Sequence, residues 1–267
     1  MSVPGKLPIH PNELAGKRAL VTGGTEGVGA AIVSRLTAAG ARVATAARIE
    51  RPSRDGSDLH IQADISTASG VDAVVRTLVD RYGGVDVVVH NAGGSSAPEG
   101  GFAALTDETW QRELDLNLLS AVRLDRALVP SMLAQRWGVI VHVTSIQRVL
   151  PLYHATLGYA AAKAALATYS EGLAKEVGPK GVRVISVAPG FTETSAARRH
   201  ILRVAEARGV DEATARQGLV NSLGGTPIGR PNTPEEVAEL IAFLVSARPA
   251  TIQGVEYIID GGNVPTV

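Results

Sequence analysis

Apolar, largely β-branched residues recur along this chain in short runs: Arg18 to Val21, Val43 to Thr45, Leu59 to Gln62, Val85 to Val89, Val139 to Val143, Val182 to Val187 and Glu256 to Ile259. Most of these runs are apolar at nearly every position instead of at alternate ones. Strands covered on both faces have that pattern, and helix-length segments lie between the runs, as parallel pairing requires. The prediction is an α/β fold with a doubly wound parallel sheet of about seven strands and helices on both faces.

The intervening helices have readable ends. Thr233, Pro234, Glu235 and Glu236 form a capping box with proline at the first helical position, and Val237, Leu240, Ile241, Leu244 and Val245 follow at helical spacing. Val71, Val74, Val75, Leu78 and Val79 predict a second amphipathic helix, stopped by Gly83 and Gly84. Leu114 to Leu133 offers long apolar helix faces that one sheet face would not cover entirely, which argues for two-fold contacts between copies. No repeat, linker or low-complexity tract divides the chain, so residues 1–267 read as a single domain. The stretch Ser195 to Gly225 is charged, follows a strand end and holds few bulky apolar residues. It is expected to act as a lid, mobile until ligands bind.

Composition narrows the partners. The 26 basic and 26 acidic side chains cancel, and aromatics are only 4% of residues, so neither nucleic acid nor an anionic membrane is an expected partner. A small molecule is. With no cysteine there is no disulfide, thiolate metal site or thiol nucleophile, which suits a reducing compartment such as the cytoplasm. The start, Met1 to Ala15, is interrupted by Pro4, Pro8 and Pro11, unlike a signal peptide, and no apolar run is long enough to span a bilayer. The six histidines show no paired spacing and no carboxylate cluster completes a metal site, so no catalytic metal is expected.

Two local patterns carry chemistry. The first strand runs into Thr22-Gly23-Gly24-Thr25-Glu26-Gly27-Val28-Gly29 and then into an apolar helix. Glycines at a strand-to-helix turn let the backbone approach a pyrophosphate, whose charge meets the helix N-terminus, as in dinucleotide-binding folds of the Rossmann type. A nucleoside triphosphate loop would need Lys and Ser or Thr after its last glycine, where this chain has Ala30 and Ala31. Farther on, Tyr159 and Lys163 stand four apart in an alanine-rich helix, on one face and about 6 Å apart along the axis. A free phenol ionises near pH ~10, and a cation beside it would lower that value.

These patterns occur in one order with Asn91-Ala92-Gly93 after the fourth strand, Asn117 in a helix, Ser145 after the fifth strand, Pro189-Gly190 after the sixth and Asp260-Gly261-Gly262 at the end. From Lys17 to Gly262 the chain resembles the short-chain dehydrogenase/reductase family in its TGxxxGxG and YxxxK form. The resemblance implies a hydride transfer between NAD(P) and a ketone or secondary alcohol, with ketone reduction the expected direction. It makes Tyr159 the proton donor to the carbonyl oxygen, Ser145 the hydrogen-bond partner of that oxygen, and Lys163 the ligand of the nicotinamide ribose that depresses the tyrosine pKa. Asn117 would hold a water on a proton path to Lys163. Gly23, Thr25, Glu26, Gly27, Val28 and Gly29 would hold the pyrophosphate. Asp64 and Ile65 would contact the adenine, Asn91, Ala92 and Gly93 the adenosine ribose, and Pro189, Gly190, Thr192 and Thr194 the nicotinamide. Family habit also implies a homotetramer.

Three departures matter. His90 stands where the family usually has Asn, and reads as a packed, hydrogen-bonded residue. The Ser145 to Tyr159 segment is one residue longer than the commonest spacing, which makes Thr144 a rival hydroxyl, although alignment from the fifth strand favours Ser145. Glu26 stands where some NADP-preferring relatives carry a basic residue. At the end of the second strand Ala47 lacks the acid that selects NAD, and Arg48 offers a guanidinium to a 2′-phosphate, with Arg51 and Arg54 nearby. NADP(H) is therefore the expected cofactor, with NAD(H) possible. Two other functions compete: a reductase of 3-oxoacyl thioesters, and a dinucleotide-sensing regulatory protein, which would have no need of Tyr159, Lys163, Ser145 and Asn117.

Overall fold

A computed structural model describes residues 12–49, 56–222 and 224–265, apart from the side chains of Ala196 and His200. Arg51, Arg54 and most of the Met1 to Ala15 start lie outside the described residues. The chain runs β1 (Arg18–Thr22), α1 (Gly27–Ala38), β2 (Arg42–Ala47), β3 (Leu59–Gln62), α2 (Ala68–Tyr82), β4 (Val87–His90), α3 (Asp107–Leu114) and α4 (Ser120–Gln135). It continues through β5 (Gly138–Val143), α5 (Leu157–Val177), β6 (Val182–Pro189), α6 (Ser195–Arg208), α7 (Glu212–Ser222), α8 (Pro234–Val245) and β7 (Glu256–Ile259).

All pairings of the seven-stranded sheet are parallel, in the order β3-β2-β1-β4-β5-β6-β7. The near-continuous apolar strands are explained by how their side chains alternate. Ala19, Val21, Val87, Val89, Val139, Val141, Ile185 and Val187 face one layer with Ile32, Leu36, Val237 and Ile241 of α1 and α8. Leu20, Val88, Ile140, Val182 and Val184 face the other, with Val74, Leu78, Leu124 and Leu128 of α2 and α4. Burying a side chain of this size contributes about 1.5–3 kcal/mol. The order reverses beside β1, where β2 leaves one side and β4 the other; this opens the crevice at the strand ends where dinucleotides bind in such sheets.

The helix ends follow the sequence. Thr233 and Glu236 form the reciprocal capping box with Pro234 behind it, and Gly83 ends α2 at φ 69°. The Leu114 to Leu133 stretch is not one regular helix: a π-turn over Asp115–Leu119 separates α3 from α4 and directs Asn117 inward. The charged stretch after β6 forms α6 and α7 around a small core of Ile201, Ala205 and Ala215 joined by Phe191, Val204 and Leu219.

One expectation is corrected. Spacing along the chain revealed no cluster of histidines and a carboxylate, but β4, α4 and β5 bring His90, Asp125 and His142 together, all buried. Residues so far apart in sequence become neighbours only through the parallel pairing of β4 and β5, which puts His90 level with His142. Their rings stack at 4.9 Å between centroids, and each Nε2 lies against a different oxygen of Asp125, at 2.7 and 3.0 Å. His142 Nδ1 meets Ser170 Oγ at 3.0 Å. Burial alone would raise the Asp125 carboxyl, but the two imidazoles hold it well below the usual carboxylate range. Burial pushes His142 downward in spite of Asp125, so its ring is read as a neutral Nε2–H donor to Asp125. His90 is thus packed and hydrogen-bonded, at the foot of the Asn91 turn. Asp125→Ala should cost about 3–5 kcal/mol of unfolding free energy, because two buried imidazoles lose their partner. Urea titration checks it, and a loss under about 1 kcal/mol would contradict the network.

Candidate active site

The ends of β1, β4, β5 and β6 lie along one edge of the sheet, and the turns that follow them build the site. At the first, Gly23 turns at φ 67° and Gly27 at φ 54°. Space compels the glycine at position 29: a Cβ there would stand 2.1 Å from the Gly23 carbonyl oxygen. The first bond of α1 runs from Ala30 N to Glu26 O (3.2 Å), so the amides of Gly27, Val28 and Gly29 precede the helical ladder, as an anion site requires. Glu26 occupies the N-cap position without capping the helix; its carboxylate instead accepts from Arg199 of α6 at 3.1 Å. Thr25 is partly exposed beside it.

The turn after β4 braces the first. Asn91 Nδ2 donates to the Thr22 and Gly23 carbonyls (3.1 and 3.3 Å), and the Asn91 and Ala92 amides donate to Thr22 Oγ1 (3.1 and 3.0 Å). The Asn91 amide is therefore committed to the glycine turn. Asn117 Nδ2 donates to the Gly94 carbonyl and Asn117 Oδ1 accepts from the Gly94 amide, both at 2.9 Å. A Cβ on Gly93 would stand 2.9 Å from Asn117 Oδ1 and 3.0 Å from Lys163 Nζ, so this glycine leaves room for both side chains.

After β5 the two candidate hydroxyls part. Thr144 Oγ1 hydrogen-bonds to Glu256 Oε1 (2.6 Å) and the Val187 carbonyl (3.1 Å), toward β6 and β7. Ser145 Oγ accepts from Gln147 N at 3.2 Å and lies close enough to the Tyr159 phenol to favour its ionised form. The longer segment that follows is pinned by a hydrogen bond from Thr156 Oγ1 to Gln147 Oε1. Lys163 is buried, donates from Nζ to the Val143 carbonyl at 2.7 Å, and lies 5.7 Å from the centre of the Tyr159 ring.

The electrostatics differ from the sequence expectation. Burial pushes the Tyr159 phenol up, against the effect of Ser145 and with the charge of Glu113, so the ring is in its protonated, donating form. Burial lowers the Lys163 ammonium to about 8, leaving it mostly charged at pH 7. The Lys163 ammonium is turned to the Val143 carbonyl, and burial, Ser145 and Glu113 are what shift the tyrosine.

Not every expected contact residue reaches the cleft with a free side chain. Ile65 belongs to the core, and Asp64 Oδ1 accepts from Ser66 N and Oγ (3.0 and 2.7 Å). Thr194 caps α6 through its oxygen (Ala197 N, 3.1 Å), while its methyl covers Gly27. Thr192 Oγ1 donates to the Gly190 carbonyl at 3.1 Å, and Gly190, just past Pro189, packs on Asp260. Arg48 is exposed at the end of β2, beyond Ala47. The sequence reading missed Glu113, a buried acid one helical turn before Asn117, and Arg199, the partner of Glu26. The i, i+4 spacing of Glu113 and Asn117 was the available signal.

A family model described as short chain dehydrogenase matches residues 17–202. Over 255 residues the chain is 32% identical to the 3-oxoacyl-[acyl-carrier-protein] reductase of Vibrio cholerae serotype O1, covering 93% of this chain and 98% of that one. It is 36% identical to a putative ketoacyl reductase of the monensin polyketide synthase of Streptomyces virginiae, covering 91% and 95%. The crystal structure of L-sorbose reductase from Gluconobacter frateurii, complexed with NADPH and L-sorbose, superposes with a TM-score of 0.88 at 32% identity over 96% of this chain and all of that one.

Proposed function

The chain belongs to the short-chain dehydrogenase family and is an oxidoreductase of CH–OH and keto groups, and from that premise we propose that it reduces a ketone with NADPH. The convergence of Ser145 and a protonated Tyr159 with buried Lys163, 5.7 Å from the Tyr159 ring centre, beside the glycine turn is the observation that carries the reading. A carbonyl oxygen accepting from both hydroxyls would sit where the phenol can give up its proton as hydride arrives at the carbon. The nicotinamide cofactor supplies that hydride. Residues 23–29 would bind its pyrophosphate, Ala92 and Gly93 would line its adenosine ribose, and Lys163, turning from the Val143 carbonyl toward the nicotinamide ribose, would take up the work of stabilising the phenolate. Asn117 positions the Gly94 backbone beside Lys163 and completes the proton path.

The substrate is a small carbonyl compound, and a 3-oxoacyl thioester is the second reading, favoured by the acyl and ketoacyl reductases among the relatives. NADPH preference rests on Ala47 and the exposed Arg48, with the Arg199 partner offsetting the charge of Glu26 near the phosphates. The α6–α7 segment, residues 195–225, serves as a lid within a single domain. The enzyme works as a homotetramer in the cytoplasm; no described helix is long and apolar enough to cross a membrane.

Tyr159→Phe should lower kcat by about 10²–10⁴-fold while the dinucleotide Kd stays within a few-fold, since the phenol transfers a proton and does not hold the cofactor. Steady-state turnover close to that of the wild type would overturn the tyrosine assignment. Catalytic efficiency with NADPH should exceed that with NADH by at least about tenfold, roughly 1.4 kcal/mol, and Ala47→Asp with Arg48→Ala should reverse the order. Equal efficiencies in the wild type would contradict it.

A further inference from the structure

Glu113 is 2% exposed, in α3, one turn before Asn117. Its Oε1 accepts from Ser95 Oγ and Ser96 N, both at 3.0 Å, and its Oε2 accepts from Asn117 Nδ2 at 3.3 Å. Its side chain also lies against the first turn of α5: a Cβ on Gly158 would stand 3.2 Å from Glu113 Cγ. The partners found for the carboxylate among the described residues are all neutral donors. Burying a carboxylate without a cation is costly, and a fold that keeps one in its reaction centre has a use for the charge.

The Asn117 amide shows what that charge faces. Nδ2 points to Glu113, while Oδ1 lies with Lys163 Nζ around the space that Gly93 leaves open. The amide dipole therefore runs between a buried anion and a buried cation, an orientation that both charges favour. The Tyr159 ring centre lies 5.7 Å from Lys163 Nζ, and the charge of Glu113 acts on its phenol. The titratable groups of α5 on this side are Tyr159 and Lys163. The loop after β4 offers Ser95 and Ser96, and the π-turn offers Asn117. The charged neighbours on Glu113's own helix and the π-turn are engaged elsewhere, Arg112 with Thr109 and Asp115 with Gln111 and Arg123.

We propose that Glu113 is a positioning carboxylate of the reaction centre, which ties the Ser95–Ser96 wall to Asn117 and the start of α5 and balances Lys163 across Tyr159. Its charge raises the phenol, in the same direction as burial and against the effect of Ser145. Reduction needs a protonated tyrosine, and Lys163 alone would favour the phenolate, so Glu113 keeps the acid loaded to higher pH. Removing the charge lowers the tyrosine pKa, which brings the loss of activity on the alkaline side to lower pH.

This inference rests on Tyr159 being the proton donor, and the experiment separates the two. The kcat/KM for ketone reduction at saturating NADPH is measured against pH in the wild type, Glu113→Gln, Glu113→Asp and Tyr159→Phe. In Glu113→Gln, which keeps an acceptor oxygen for Ser95 and Ser96, the alkaline limb should move down by about one pH unit with the NADPH KM within about twofold. Glu113→Asp, which keeps the charge, should return the limb to within about 0.3 unit of the wild type even if kcat falls. An unmoved limb in Glu113→Gln, with Tyr159→Phe inactive, overturns the role of Glu113 and leaves the tyrosine in place. An active Tyr159→Phe overturns the tyrosine assignment and this inference with it. Should Glu113→Gln fail to fold, Glu113→Leu is read in the same way. If neither neutral variant folds while Glu113→Asp does, Glu113 is structural and the inference fails.

Discussion

The hydrogen bond from Lys163 Nζ to the Val143 carbonyl joins α5 to the end of β5 across 20 residues of sequence. Its direction is set from below. Val139, Val141 and Val143 face one apolar layer and Ile140 the other, so β5 must run straight and buried up to the point where Ser145 leaves it. Once Lys163 is anchored there, the helix periodicity brings Tyr159 one turn back, beside Ser145. A chain that lost this anchor would keep its sheet and helices but not the meeting of phenol, hydroxyl and ammonium.

Burial gives these groups their chemistry. The same low-dielectric surroundings that raise the Tyr159 phenol lower the Lys163 ammonium to about 8, so at neutral pH one holds its proton firmly and the other holds it loosely. Their proton affinities diverge, so a charged Lys163 can return a proton to the tyrosinate downhill, which suits a centre that must reload its acid every turnover. The His90–Asp125–His142 cluster uses burial differently. Its donors and acceptors satisfy one another, and it stiffens β4 and β5 below the turns that carry Asn91 and Ser145.

Local periodicity made the sheet and most helix ends legible, because strands buried on both faces need apolar residues at every position and helix caps use few residue types. The glycine turn and the Tyr159–Lys163 pair were legible for the same reason: each is a contiguous pattern. What the sequence concealed depends on strand register or on side chains meeting across elements. His90, Asp125 and His142 come from three elements, and the Glu26–Arg199 ion pair spans 173 residues. The choice between Thr144 and Ser145 needed the direction of each hydroxyl, which the extended backbone at Ser145 (φ −168°) and the reach of Glu256 determine. The π-turn around Asn117 was hidden because its residues are ordinary helix formers.

The account's central claim is that Ser145 and Tyr159 hold one carbonyl oxygen while Lys163 serves the cofactor ribose. A crystal structure of the ternary complex with NADP⁺ and a competitive ketone analogue tests it most directly. The account predicts the analogue's oxygen within hydrogen-bond distance, about 2.6–3.2 Å, of both Ser145 Oγ and Tyr159 Oη, and Lys163 Nζ turned from the Val143 carbonyl to the ribose hydroxyls. An analogue oxygen held by Thr144 or by neither hydroxyl, with Lys163 still on Val143, would contradict it.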